Sequence, residues 1–359
     1  MAQKNIFLST HYLMVLEQSR PKNMECHFIG IFNNNQLVGV SLAQFINLNK
    51  LKSFGERDKR IKTAVRNFVF KNYCSHVMFI GNNMLTGQNA FAKTTSITTA
   101  AIVEILKLAV NALKEIYIKK KTKIHLTVFK DFDTKTSLEL EATLGNFYKF
   151  STQPNMVFSI PENWENEIAY VNALSKKYRD QYKRARKKLE GIEKRKLTGD
   201  DIKNQEEVIY NLYLHVATNA PFNTFFLTKN HFYEFKKSLK DDFLFYGYFL
   251  NDKMIGFNTL VKNGLAMDTY FLGYDEQLQR EKMIYLNMLY DMVAYSIKKK
   301  FKTIVFARTA LEIKSSVGAK PEEMFGFLSH SNPIINKGIS KLFCYFEPKT
   351  QWKQRNPFG

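Results

Sequence analysis

The sequence has little cysteine and no long apolar run. Its 359 residues include three cysteines, Cys26, Cys74 and Cys344, and none of them stands in a Cys-x-x-Cys spacing. This odd number argues against a disulfide framework and against a structural zinc site. No stretch of about 20 apolar residues occurs, and the amino terminus lacks the apolar core of a signal peptide. We therefore expect a globular, cytoplasmic protein without a membrane-spanning helix or a bound metal.

Acidic residues are also few in relation to basic ones. The chain has 53 lysines and arginines against 33 aspartates and glutamates, which gives a net charge of +20 and a pI near 9.6. Such a charge attracts anions: nucleic acid, anionic lipid, an acidic carrier protein or a phosphorylated cofactor. Charge by itself selects none of them. The length and the 45% of hydrophobic residues are sufficient for two domains.

The chain repeats itself. Residues 28–39 and 245–256 share one pattern, in which two apolar strands flank a polar turn and a glycine comes early in the returning strand. A strand that ends in glycine, a helical stretch and a short strand then follow in the same order, at 77–83, 97–118 and 123–128 in the first half and at 269–275, 283–298 and 303–307 in the second. The sequence therefore predicts two copies of one module.

A basic segment separates the two copies. Residues 175–196 hold eleven basic and three acidic side chains, and apolar side chains recur there at steps of four and three, which predicts an amphipathic helix. It is either a linking helix whose lysines face water or a docking surface for phosphate on a membrane, an RNA or an acidic carrier. The tyrosines follow the apolar stripe, which favours lipid headgroups or a carrier over tRNA. The docking residues would be Lys176, Lys177, Arg179, Lys183, Arg184, Arg186, Lys187 and Lys188.

Four segments carry a resemblance to a known family, namely residues 7–17, 174–179, 270–275 and 308–319. With the order of elements, they resemble the tandem-GNAT, Fem-type and peptidoglycan-biosynthesis-like N-acyltransferases over most of the chain. The resemblance implies an α/β (α+β) fold of two GNAT-like modules, each a mixed, mostly antiparallel sheet flanked by helices. The modules would be 1–160 and 199–359, joined by a basic linking helix at 161–198, with the second module catalytic.

The same resemblance implies transfer of an acyl group from a thioester or an aminoacyl-tRNA to an amine, with the donor held where the fourth and fifth strands diverge. The usual GNAT module binds the donor's pyrophosphate with a Gln/Arg-x-x-Gly-x-Gly/Ala loop at a helix amino terminus. This sequence departs from that loop, because residues 81–90 carry glycines out of register and residues 273–280 have no second glycine. A donor on acyl carrier protein or tRNA is therefore favoured over coenzyme A bound in the usual mode.

Three residues are candidates for the catalytic step. Asp268 and Tyr270 alternate along one predicted strand, so their side chains share a face and could act as base and hydrogen-bond partner. The alternative for Asp268 is a solvated residue at a sheet edge. Glu312, which closely follows the last strand of the second module, is the residue we select as the base that deprotonates the amine.

Four charged residues are candidates for donor binding: Arg280, Arg308, Lys314 and Asp275. Arg308 and Lys314 would bind phosphate or orient the Glu312 carboxylate. The alternative is a surface ion pair between Arg308 and Glu312, one helical turn apart. His215 and His231 have no partner at metal-ligand spacing, so packing or surface roles are expected. No Gly-x-Ser-x-Gly motif occurs, which favours direct transfer without an acyl-enzyme.

The expected function is an N-acyltransferase for groups other than aminoacyl, with no bound cofactor and an acyl thioester on acyl carrier protein or coenzyme A as co-substrate. Its acceptor would be an amine of a lipid or cell-envelope precursor, and the protein would lie at the inner face of an anionic membrane. One alternative is aminoacyl transfer from tRNA to a peptidoglycan precursor peptide. The other is a non-catalytic nucleic-acid or membrane-binding protein built on GNAT modules.

Overall fold

The structure is a computed structural model that describes residues 5–50, 70–87, 90–220, 223–346 and 352–359. The chain divides into two compact units. Unit 1 comprises Met1–Gln153, Pro221–Thr228 and Glu323–Thr350, and unit 2 comprises Pro154–Ala220, Lys229–Glu322 and Gln351–Gly359.

The described helices and strands are as follows. The helices are α1 (Thr10–Ser19), α2 (Thr99–Lys119), α3 (Thr134–Leu140), α4 (Glu167–Ala173), α5 (Lys176–Lys188), α6 (Gly199–Asn204), α7 (Glu206–Asn219), α8 (His231–Leu239), α9 (Glu276–Lys282), α10 (Ile284–Lys298), α11 (Leu311–Ser316) and α12 (Pro333–Phe346). The strands are β1 (Met24–Asn33), β2 (Gln36–Asn47), β3 (His76–Ile80), β4 (Phe91–Lys93), β5 (Leu126–Phe132), β6 (Tyr148–Ser151), β7 (Asn155–Ser159), β8 (Glu193–Lys196), β9 (Phe243–Leu250), β10 (Lys253–Asn263), β11 (Ala266–Tyr274), β12 (Thr303–Ala307), β13 (Lys320–Glu322) and β14 (Phe325–His330).

Both predicted hairpins form. Asn34 and Asn35 connect β1 to β2 with φ of 46° and 63°, and Asn251 and Asp252 connect β9 to β10 with φ of 49° and 58°. Two successive residues with positive φ make a type I′ turn, which asparagine and aspartate tolerate better than other residues with a side chain. The polar turn residues therefore determine both hairpins locally.

Each unit contains one mixed sheet. In unit 1 the strand order is β1-β2-β3-β5-β14-β6, and β4 pairs with β2. In unit 2 the order is β13-β7-β12-β11-β10-β9-β8. Among the described strands, β3 with β5 and β11 with β12 pair in parallel, whereas the other pairs are antiparallel. The predicted fold class is confirmed, with two mostly antiparallel sheets flanked by helices.

The units differ from the predicted division at 1–160, 161–198 and 199–359. Strand β7 belongs to unit 2, where it pairs with β12 and β13. Strand β14 belongs to unit 1, where it pairs with β5 and β6. The sheet of unit 2 thus includes β7, which follows the first copy of the repeat along the chain. The sheet of unit 1 includes β14, which follows the second copy.

The basic segment is not a separate linker. Helix α5 lies within unit 2 and packs against α4, α9 and α10. Its predicted apolar stripe is confirmed, since Tyr178 and Ala185 are buried in the core of unit 2 and Tyr182 packs against that core. The helix ends at Lys188, and Gly191, at φ 84°, lies in the turn that leads into β8.

The core of unit 2 lies between its sheet and α10. Met267 on β11 and Ile304 on β12 pack there with Met288 and Val293 of α10. Phe358, from the carboxy-terminal segment, packs against the same core and stacks on Phe158 of β7, with ring centroids 6.1 Å apart. The carboxy-terminal segment is thus a part of unit 2 and covers one side of its core.

Gly318 leaves room for the stacking of Phe358 on Phe158. Gly318 has φ of 109°, and a Cβ built there would lie 2.6 Å from Phe358 and 2.8 Å from Phe158. We expect Gly318→Ala to lower the free energy of unfolding by about 2–4 kcal/mol, because the side chain forces both a strained φ and two aromatic displacements. Thermal unfolding measures the change.

Gly338→Ala is the matched control. Gly338 lies in α12 with no atom within 4 Å of an added Cβ. We expect this change to raise stability by about 0.5–1 kcal/mol, since alanine favours the helix. Equal effects of the two substitutions would contradict the packing described for Gly318.

Candidate functional site

The parallel strands β11 and β12 separate soon after they meet. Their pairing covers three residue pairs and ends at Asp268 with Val305, although β11 continues to Tyr274. The register of β11 against β10 shifts between Asn258 and Leu260, where β11 has one residue more than its partner. Such a bulge bends a strand and leaves backbone groups unpaired. The sheet of unit 2 therefore opens between its two central strands.

Asp268 lies where the separation begins. Its side chain is buried, and its Oδ2 accepts a hydrogen bond from Asn263 Nδ2 at 3.1 Å. Burial raises the pKa of the Asp268 carboxyl to about 7, and the bond from Asn263 offsets only a part of this rise. The alternative of a solvated edge residue is wrong, because β11 is a central strand.

Tyr270 is the second residue that β11 contributes. Its hydroxyl lies 2.9 Å from His231 Nε2, and its ring contacts those of His231 and Phe235. His231 is fully buried at the start of α8. The sequence predicts only a packing or surface role for His231, because no local pattern indicates a contact between residues 39 positions apart.

Lys314 lies on α11, and its side chain reaches back to the end of β12. Its Nζ donates to the carbonyl oxygens of Arg308 at 2.6 Å and Ala307 at 3.3 Å, and its side chain is buried. Burial lowers the pKa of the Lys314 amine to about 7. The structure thus places one buried carboxyl on β11 and one buried amine on α11, whose Nζ reaches the end of β12.

Glu312 and Arg308 do not form the predicted ion pair within a helix. Helix α11 begins at Leu311, after three residues with positive φ, Ala307, Thr309 and Ala310, so that Arg308 precedes the helix in a turn. The Glu312 carboxylate forms an ion pair with Arg355 of the carboxy-terminal segment and remains 47% exposed. This partner is 43 residues away, and no local pattern indicates it.

Asp275 and Arg280 both have partners near the start of α9. The Asp275 carboxylate caps the helix by accepting hydrogen bonds from the amides of Gln277 and Leu278, each at 3.0 Å. Arg280 forms an ion pair with Glu276 at 2.7 Å and is otherwise exposed. The amides at this position are those with which a usual GNAT helix would hold a pyrophosphate. Here an anionic side chain occupies them.

Unit 1 differs at the equivalent place. There β3 and β5 stay paired through Ile80 and Phe129. The next residue, Lys130, then extends its Nζ to the carbonyl oxygen of Asn82 at 2.9 Å and to the Asp131 carboxylate, and both charged side chains are buried. A side chain of unit 1 thus bridges the ends of the strands that are open in unit 2.

The predicted docking residues fall into two groups. Arg186 faces inward, where it pairs with Glu167 at 2.6 Å and Asp291 at 2.7 Å. Arg179 donates to the carbonyl oxygen of Leu174 at 2.8 Å. The docking role predicted for these two arginines is therefore corrected to a structural one. The other six are exposed: Lys176, Lys177, Lys183, Arg184, Lys187 and Lys188.

The described ranges contain neither a cluster of metal ligands nor a membrane-spanning helix. No group of three or more histidine, cysteine, aspartate or glutamate residues within them is arranged to hold a metal ion. No helix within them is long and apolar enough to cross a membrane.

The chain is similar to known proteins in fold. It aligns with FemX at 12% identity, over 95% of this chain and 96% of that one, with a TM-score of 0.56. It aligns with L-PGS from Bacillus licheniformis at 8% identity, over 93% and 96% of the two chains, with a TM-score of 0.50. At these identities the matches show the fold alone. No curated protein matches the sequence.

A family model covers almost the whole chain. The FemAB-like family, described as peptidoglycan biosynthesis/recognition, matches residues 1–344. This match supports a role in peptidoglycan or cell-envelope biosynthesis or recognition. The chain belongs to the FemAB-like family.

Proposed function

We propose that unit 2 transfers an aminoacyl group from aminoacyl-tRNA to an amine of a peptidoglycan precursor by direct attack. The observation that carries the proposal is the opening between β11 and β12, because Asp268 is buried where the strands separate and Lys314 is buried against the backbone at the end of β12. Burying an ionisable group without a countercharge destabilises the folded protein. Such groups cluster at functional sites, where a pKa near the working pH is useful.

Asp268 is the base of this proposal, in place of Glu312. The amine must lose a proton as it attacks, and a carboxyl with a pKa of about 7 accepts a proton more effectively than an ordinary aspartate. Glu312 is half-exposed and paired with Arg355. We assign Glu312 a positioning role, because its ion pair ties α11, which carries Lys314, to the carboxy-terminal segment.

Lys314 and Tyr270 complete the proposed step. The amine nitrogen attacks the carbonyl carbon of the donor ester, and its proton passes to Asp268. Protonated Lys314 has three N–H groups, of which two bond to backbone carbonyls, and the third would stabilise the tetrahedral oxyanion. The ester C–O bond then breaks, and the Tyr270 hydroxyl beside His231 would give a proton to the leaving oxygen.

The donor is proposed to arrive on a macromolecular carrier. The Asp275 carboxylate occupies the first free amides of α9 and would repel a pyrophosphate there. Aminoacyl-tRNA is favoured because the Fem-type resemblance implies it and the family model matches. The second candidate is a thioester on acyl carrier protein, since that donor also needs no pyrophosphate site and its carrier is acidic.

We expect Asp268→Asn to raise the stability of the protein and to lower its turnover. The carboxyl pKa is about 7 in the folded protein against an ordinary 3.8, so the wild type loses stability as pH rises from about 4 to 7, and the loss is complete above 7. The uncharged asparagine avoids this loss. We expect the variant to be more stable by about 1–3 kcal/mol at pH 8, with a smaller gain at pH 5, and to lose at least about 100-fold in turnover.

Ser296→Ala is the matched control for this test. Ser296 is buried on α10, and its Oγ has no hydrogen-bond partner among the described residues. Its replacement should raise stability by a similar amount at both pH values and leave turnover unchanged. If Asp268→Asn raises stability more at pH 8 than at pH 5 but leaves turnover unchanged, Asp268 is not the base.

The carrier is tested with three donors in parallel. Aminoacyl-tRNA, acyl-acyl carrier protein and acyl-coenzyme A are each incubated with the protein and a peptidoglycan precursor peptide, and amide products are measured by mass spectrometry. We expect a product with aminoacyl-tRNA that Asp268→Asn does not form. A product with a thioester alone would overturn the tRNA donor, and no product with any donor would favour the non-catalytic binding protein.

A further inference from the structure

One face of α5 is cationic and exposed. At about 100° per residue, its six exposed cations, Lys176, Lys177, Lys183, Arg184, Lys187 and Lys188, fall within about 140° of the helix circumference. We call this set the cationic face. The exposed Asp180 lies within the same arc and is the single acid there. None of the six cations forms an ion pair with any residue in the described ranges.

The opposite side of α5 is firmly attached to unit 2. Arg186 bridges Glu167 of α4 and Asp291 of α10, and the Asp291 carboxylate also accepts a hydrogen bond from Tyr248 at 2.7 Å. Tyr182 donates to the same Glu167 carboxylate at 2.7 Å. These bonds fix the rotation of the helix about its axis. The cationic face is therefore presented outward in one orientation.

The composition of this face favours a lipid surface over RNA. Single-stranded RNA is bound with exposed aromatic rings on which bases stack, but Tyr178 is buried and Tyr182 is turned toward Glu167. Arginine is the preferred residue for paired hydrogen bonds to phosphate, yet Arg179 and Arg186 face inward. Five of the six outward cations are lysines, whose mobile point charges suit a fluid layer of headgroups.

We propose that the cationic face docks unit 2 on an anionic phospholipid bilayer. The attraction is electrostatic, since no apolar side chain lies on the face, so it weakens as salt rises. The proposal goes beyond the proposed reaction and stands independently of it, because α5 carries none of the residues assigned to catalysis. Docking would bring unit 2 to the surface where membrane-linked envelope precursors are found.

The test measures cosedimentation with vesicles. One preparation contains about one third phosphatidylglycerol in phosphatidylcholine, and the other is phosphatidylcholine alone. We expect the wild type to bind the first at about 0.1 M salt, to bind it much less at about 0.5 M, and not to bind the second. Replacing all six residues of the cationic face by glutamine, which keeps helix propensity, should weaken binding at least about tenfold.

The control variant removes six exposed cations elsewhere in unit 2. Glutamine replaces Lys253, Lys298, Lys299, Lys300, Lys320 and Lys353, which gives the same net charge as the first variant. We expect it to lose less than about threefold in vesicle binding. Equal losses of vesicle binding in the two variants would mean that net charge alone determines the binding, and this result would overturn the proposal.

Two further results would also overturn it. Equal binding to neutral vesicles would mean that the attraction is not electrostatic. If an RNA duplex displaces the protein from vesicles and the cationic-face variant loses RNA binding more than vesicle binding, the face is an RNA site. The same variants are also assayed for transfer to a soluble peptide acceptor, which does not require docking. A variant that fails to bind vesicles but still transfers to this acceptor has lost docking and not the proposed reaction.

Discussion

The short parallel pairing of β11 with β12 is the constraint on which the account of unit 2 depends. Parallel strands that continued side by side would close the sheet with backbone hydrogen bonds and leave no space for a substrate. Here the pairing ends at Asp268 with Val305, and β11 carries an additional residue opposite β10. Asp268 is buried where the two strands separate, and Lys314, on the helix after β12, is buried against the carbonyl oxygens of Ala307 and Arg308.

Unit 1 shows what the same module looks like when this opening is closed. Its parallel pair continues to Ile80 and Phe129, and Lys130 joins the ends of the two strands through Asn82 and Asp131. The Lys130 ammonium has a buried countercharge. By contrast, Asp268 and Lys314 of unit 2 have polar partners but no ion pair in the described ranges. This asymmetry supports the assignment of unit 2 as the working copy.

The parts of the fold that depend on neighbouring residues could be predicted from the sequence. The Asn-Asn and Asn-Asp turns determine both hairpins, and the spacing of Tyr178, Tyr182 and Ala185 correctly indicated the buried side of α5. The assignment of β7 to unit 2 and of β14 to unit 1 could not be predicted, because each strand pairs with partners far away in the sequence. Alternation along a strand gives the face of a side chain but not the neighbouring strand or helix that covers that face.

In the candidate site, too, contacts between distant residues could not be predicted from the sequence. The sequence placed Asp268 and Tyr270 together on one strand, but the burial of Asp268 follows from the central position of β11, which is a property of the whole sheet. His231 reaches Tyr270, and Arg355 reaches Glu312, through contacts between distant segments. Because no local pattern indicates either contact, the roles of His231, Tyr270 and Glu312 could be assigned only with the structure.

The most direct test of the central claim is photo-crosslinking with a donor analogue that carries a diazirine in its acyl group. We expect adducts on β11, on β12 or on the residues that follow β12 up to Lys314, and we expect them to disappear when unmodified donor competes. Adducts confined to β3 and β5 of unit 1 would contradict the assignment of the active centre to unit 2.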